Sequence, residues 1–303
     1  IATASVDAQT TYNWSPLTTN FGSSFNWTPS GGPPGELDTA VFNTGGTSTA
    51  TFNDSPFNVA LQHQSGETVF RPSGTNATYS LNGASTISGG SLTINPDGIF
   101  KLDVRFSGLE LSGNSVLFIN AGVVSNVGAL NVGNGSAGAI NVNGPTASLT
   151  SSFTGQNTLG GSTNGQGSLT LSNGATGSMA GSLRIGGGPS TSGILELYSG
   201  STFSFGNGNI GNGTTSGQLG VVYVTGSGSA VTQTGSSTLN LGKASNAGIF
   251  ATIQADSGGT YNTGTGLTTV NATGEILVSG GTFNANGNVN VNGGENKAPR
   301  RTF

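Results

Sequence analysis

Residues 167–213 read GSLTLSNGATGSMAGSLRIGGGPSTSGILELYSGSTFSFGNGNIGNG, and the second half of this stretch nearly copies the first. Each half runs Gly-x-Leu-x-Leu or its equivalent, then a polar turn, then short apolar pieces closed by Gly-Gly or Gly-Asn-Gly. Apolar and polar residues alternate within each piece, which is the period of a strand with one buried face. Arg184 and Glu196 are the only charges, so the exposed face is built almost entirely from Ser, Thr and Asn.

The pattern extends in both directions. With Gly-x-Φ-x-Φ as anchor (Φ apolar), it recurs at Gly138, Gly167, Gly193, Gly220, Gly248 and Gly274, at intervals of 29, 26, 27, 28 and 26 residues. The copy at Gly248 is slipped by one, with Ala251 and Ile253 as its apolar pair. Upstream, Gly108 (Leu109, Leu111), Gly90 (Leu92, Ile94), Gly66 (Thr68, Phe70) and Thr39 (Val41) continue the series less regularly. Residues 95–107 are its weakest part, because Gly90 and Gly108 are only 18 apart. A second apolar piece in each period comprises Leu149, Met179, Phe203, Val231, Tyr261 and Phe283. A third ends at a glycine corner: Leu159-Gly160, Ile185-Gly186, Ile210-Gly211 and Leu241-Gly242, then Val289 with Val291.

Three short strands per coil of about 27 residues describe an all-β, right-handed parallel β-solenoid. One coil cannot bury its own apolar face, whereas stacked coils share a continuous core. Roughly ten coils at about 4.8 Å each make a rod on the order of 50 Å long. No segment carries an apolar stripe of helical period, so essentially no helix is expected. The expected organisation is an N-terminal extension and cap over residues 1–38, a solenoid over 39–294 and a charged tail over 295–303.

Composition narrows the partners. The chain has 303 residues, 54 of them Gly, with 8 basic and 12 acidic side chains and a net charge of -4. That balance opposes nucleic-acid binding, which needs a basic face. No apolar run approaches the ~20 residues of a membrane-spanning helix. With no Cys there are no disulfides or thiolate metal sites. The neutral, hydroxyl-rich surface and the start at Ile1 rather than Met lead us to expect a secreted or cell-surface protein whose signal peptide has been removed.

The first forty residues differ from the rest. YNWSP at residues 12–16 returns as FNWTP at 25–29, followed by GGPPGELDTAVF, and both Trp residues of the chain lie here. Trp14, Asn26, Trp27, Pro33, Asp38, Ala40 and Phe42 resemble the N-terminal pattern of bacterial secreted β-helix proteins of the autotransporter-associated and PEP-CTERM-related type. The resemblance covers about 30 residues, lacks the Gly pair usual after the first Trp, and implies a surface or matrix protein without implying chemistry. Trp14 and Trp27 are expected to cap the solenoid core, the alternative being stacking on a glycan ring.

Catalytic constellations are hard to assemble. The only histidine, His63, has no nucleophile motif near it and reads as part of a polar loop or strand face. GNGNIG at 206–211 has the letters of a dinucleotide fingerprint but leads into Asn212-Gly213 rather than a helix. Glu110 and Glu196 fill the same outward slot between two Leu residues, three coils apart at roughly 14 Å, beyond the reach of a glycosidase pair. Lys101, Asp103 and Arg105 alternate on one face and read as a surface charge cluster. No enzyme, cofactor or metal is expected.

The reading that follows is a structural extracellular protein that assembles head to tail with itself; the alternatives are a glycan-binding adhesin and, third, a polysaccharide-active enzyme. Before Arg71 there is no Lys or Arg, while Asp7, Glu36, Asp38, Asp54 and Glu67 are acidic; the tail holds Lys297, Arg300 and Arg301. The expected interface pairs Ile1, Val6, Asp7, Glu36 and Asp38 of one copy with Lys297, Arg300, Arg301 and Phe303 of the next.

Overall fold

The computed structural model describes residues 8–95, 97–213, 217–244 and 248–293, and the backbone of 295–297. The chain is an all-β parallel solenoid of about eleven turns and ~25-residue coils. Among the described residues its one helical element is a 3-10 turn, Ser24–Asn26. None has a helix long and apolar enough to cross a membrane.

Three stacks of parallel strands run along the rod. The first climbs from residues 47–52 through 67–72, Ser91–Ile94, Ser115–Ile119, Ala137–Asn143, Gln166–Ser172, Ser192–Leu197, Gln218–Thr225 and Ile249–Asp256 to Gly274–Ser279 and Glu295–Lys297. The second runs from Phe57–Asn58 to Thr282–Asn284, and the third from Thr11–Trp14 to Val289–Asn292. Two long strands, Thr39–Phe52 and Ala60–Pro72, turn from the third stack into the first.

Each stack stores its core as vertical ladders. On the first, Leu92, Leu117, Ile140, Leu169, Leu195, Val222 and Ile253 lie one above another, all fully buried. Their numbering gives coils of 25, 23, 29, 26, 27 and 31 residues, so the length varies in the turns while the strands hold register. The third stack contributes Ile87, Leu111, Val132, Leu159, Ile185, Ile210 and Leu241, again buried.

Glycine matters where these two stacks meet. Gly160, Gly186 and Gly242 turn the corner at φ of 73°, 64° and 69°, a region that side chains with a Cβ rarely adopt. A Cβ on Gly193 would run into the Gly186 nitrogen and the Leu159 carbonyl. Anchor glycine and corner glycine therefore pack backbone to backbone, which is the physical content of the repeat.

Three anchors move relative to the sequence reading. Gly108–Leu111 pairs with Ala84–Ile87 and Leu130–Val132, so it is a rung of the third stack. The anchor of that coil is Ser115, opposite Gly138, and it satisfies its buried hydroxyl by donating to the Ile87 carbonyl at 2.7 Å. Thr39 likewise belongs to the third stack, opposite Ala60. In the slipped copy, Ala251 rather than Gly248 stands opposite Gly220 and Gly274. Met179 pairs with Ser151 and Phe205, and the true neighbour of Phe203 in the coil below is Gly177.

Candidate functional site

The N-terminal segment is fixed by its own polar side chains. Thr11–Trp14 pairs antiparallel with Trp27–Thr28 and parallel with residues 39–41. The Asn26 Oδ1 accepts from the Leu17 and Thr18 nitrogens, both at 2.9 Å, while its Nδ2 donates to the Asn20 carbonyl at 2.6 Å and Thr18 Oγ1 at 2.9 Å. Asp38 accepts from the Thr10 nitrogen at 2.9 Å on one oxygen and from the Gly35 nitrogen at 2.8 Å on the other. Its carboxylate ties the segment to the first coil and is occupied in doing so.

Between these ties lies an aromatic cluster. Trp14 and Trp27 meet edge to face with centroids 4.9 Å apart, and their rings lie 5.6 and 5.8 Å from Phe42. Phe21 continues the contact to Phe52 at 4.9 Å and Tyr79 at 5.3 Å. Both indoles are only 3% exposed, and Trp27 Nε1 donates to the Phe21 carbonyl at 2.8 Å. Neither offers a free face for a sugar, so the glycan-stacking role considered for Trp14 and Trp27 has no surface to act on. The apolar side chains that do reach solvent here are Leu17, Phe25 and Leu37.

Of the residues expected at an assembly interface, Glu36 is exposed beside Asp38. Ile1, Val6, Asp7, Arg300, Arg301 and Phe303 lie outside the described residues. Lys297 closes the strand Glu295–Lys297, which continues the first stack opposite residues 275–277 rather than leaving it as a tail. At this end Val289 and Val291 occupy the core-facing register opposite Thr268 and Val270, yet are 45% and 51% exposed.

The candidates for chemistry are scattered. His63 is fully buried rather than on a polar face: its Nδ1 lies 2.9 Å from the Gly89 carbonyl and its Nε2 3.1 Å from Thr68 Oγ1. Burial lowers its pKa, partly offset by the Gly89 hydrogen bond. Glu110 stands on the third stack between Thr86 and Asn131, and Glu196 on the first between Thr170 and Tyr223, so they do not share a slot. Arg105 Nε pairs with Asp103 Oδ2 at 2.9 Å. No group of three metal-ligand side chains occurs among the described residues. A shallow trough of about 300 Å³ runs over Val116, Ala139, Ser168 and Ile194 and is lined by no titratable side chain.

One cluster was not anticipated. Tyr198 and Tyr223 lie on the first-stack wall with ring centroids 5.8 Å apart and planes at 65°. Glu196 is the rung neighbour of Tyr223 and accepts from Thr170 Oγ1 at 3.2 Å. The Tyr198 hydroxyl is pushed up to about 12 by burial first, then by the charge of Glu196 and a hydrogen bond to it, with a smaller contribution from Tyr223. The signal was present: Glu196 and Tyr223 fill the same slot after Gly193 and Gly220, visible once successive coils are aligned.

No family model, no curated protein and no solved structure matches this chain, so the functional reading rests on the geometry alone.

Proposed function

We propose that the chain is a non-catalytic, extracellular structural rod that associates end to end with further copies of itself. The observation that carries this reading is the inequality of the two ends of the core. Near one end Trp14, Phe21 and Trp27 are buried against the core. At the other, Val289 and Val291 face the core register without cover from the described residues. An uncovered rung also presents unpaired backbone groups, a template for another strand. Leu17, Phe25 and Leu37 on the covered end give such a contact an apolar partner. Unlike surfaces meeting at opposite ends generate open filaments rather than closed dimers. The sequence adds complementary charge, with Glu36 near its N-terminus and Lys297, Arg300 and Arg301 near its C-terminus.

Sedimentation and negative-stain electron microscopy of the purified chain test this directly. Concentration-dependent filaments are expected, and Val289→Asp combined with Val291→Asp should leave a folded, β-rich monomer. Deleting residues 297–303 should weaken assembly in the same direction. A monomer at all concentrations, or filaments indifferent to the paired Asp substitution, would overturn the proposal.

A further inference from the structure

The wall of the rod carries a feature that end-to-end association does not use. The chain has five Tyr. Tyr79 and Tyr261 are buried in the core, and Tyr12 packs against it. The remaining two, Tyr198 and Tyr223, stand side by side on the same outer face. Their rings meet edge to face with planes at 65° rather than as one flat platform.

The electrostatics of this corner have one sign. Glu196 is the rung neighbour of Tyr223 and lies two residues before Tyr198 on the same face. Two rungs along, Gln254 Nε2 donates to Asp256 Oδ2 at 2.7 Å, while the buried Asp256 Oδ1 has no partner among the described residues. The four strands that make this part of the wall, Gln166–Ser172, Ser192–Leu197, Gln218–Thr225 and Ile249–Asp256, contain no Lys or Arg. Aromatic faces beside a carboxylate with no basic partner are complementary to an organic cation, drawn to the ring quadrupoles and to the net charge.

We propose that Tyr198, Tyr223 and Glu196 form a binding site for a quaternary ammonium group. The carboxylate already accepts the hydroxyl of Thr170 at 3.2 Å. It therefore supplies charge more readily than a free acceptor for an N–H donor. A methylated ammonium has no N–H to satisfy and sheds its hydration easily, so it gains most from two ring faces.

The test is a titration of the full-length chain with choline chloride, followed through the Tyr ring resonances by NMR, with sodium chloride holding ionic strength constant. Only the Tyr198 and Tyr223 signals should move, with a Kd on the order of 1 mM, and ethanolamine should bind more weakly. Tyr223→Leu should abolish the shifts. Glu196→Gln keeps the hydrogen-bond acceptor and should weaken binding about tenfold through loss of charge alone. Should the Tyr223 variant fold poorly, the Gln variant decides. The proposal falls if nothing shifts by roughly 50 mM choline, or if Glu196→Gln binds as the parent does. It falls equally if cellohexaose moves these resonances and choline does not. Because the site lies on the wall, its failure would leave the end-to-end reading untouched, and the reverse also holds.

Discussion

Leu169, Leu195 and Val222 lie one above another in the central coils, whereas the same ladder near the N-terminus reads Ser48, Thr68 and Leu92. The two regions share register and differ in what fills it. In the centre, aliphatic side chains repeat at nearly constant volume and glycine corners let the coils approach. Near the N-terminus, Phe42, Phe52, Phe70 and Tyr79 fill the interior with rings 5.1 to 5.9 Å apart. Beside those rings a polar column runs from Ser48 through Thr68 and His63 to the Gly89 carbonyl. A solenoid therefore constrains where a side chain points more tightly than what that side chain is. The coil core accepts polar groups of this kind where neighbouring coils supply their partners, as Ser48, Thr68 and Gly89 do here.

The strongest way to break this contrast is a charge without a partner in the aliphatic half. Leu195 is fully buried between Leu169 and Val222, so Leu195→Asp should cost several kcal/mol. Circular dichroism should show loss of cooperative β-sheet melting. Thr68→Val is the matched change in the polar half; it removes one hydroxyl beside His63 and should cost only about 1–3 kcal/mol. If Leu195→Asp melted like the parent, the inward register of the first stack would be wrong.

Alternation alone made Leu169, Leu171, Leu195 and Leu197 legible in the sequence as core, and the anchors at Gly138, Gly167, Gly193 and Gly220 gave the period. What escaped were the positions where another residue does the work of the anchor glycine. Ser115 fits because its hydroxyl finds the Ile87 carbonyl, and Ala251 fits opposite Gly220 with one extra methyl. A search keyed on glycine passes over both. His63 escaped for a different reason: its burial depends on Gly89, 26 residues away, and no local pattern reports that. The wall cluster of Tyr198 and Tyr223 was equally non-local, since it exists only after two coils are superposed.

A subtler test concerns how rings are accommodated. In the N-terminal coils ring meets ring, as in Phe52 against Tyr79 at 5.2 Å. In the centre Phe203 lies against Gly177, where a Cβ would come 2.5 Å from its Cδ2 and 3.1 Å from Leu171 Cδ2. Gly177→Val would raise β propensity on an open strand, but here overpacking should dominate and destabilise by about 1–3 kcal/mol. Shortening the ring with Phe203→Leu should recover part of that loss in a double-mutant cycle. Additive losses would mean that the glycine is not there to seat the ring.

The smallest expected effect belongs to the polar column, and its sign follows from burial. His63 is held neutral, with Nδ1–H donated to the Gly89 carbonyl and Nε2 accepting from Thr68. Its folded pKa lies below the ordinary value of 6.5. Below that pH the unfolded chain takes up a proton that the folded chain refuses. Stability is therefore full above about pH 6.5 and declines as pH falls, by up to about 1.4 kcal/mol per unit while the window lasts. This is the only histidine in the chain, and an ordinary imidazole titrates near pH 6.5. The interval between about pH 6.5 and 5 thus isolates it. Urea unfolding across that interval should show the decline in the parent and a flatter profile in His63→Gln, which cannot take up the proton. A parent chain whose urea midpoint did not move across the same interval would show that protonated His63 is tolerated where it sits, and that the N-terminal coils are less dry than their aromatic packing implies.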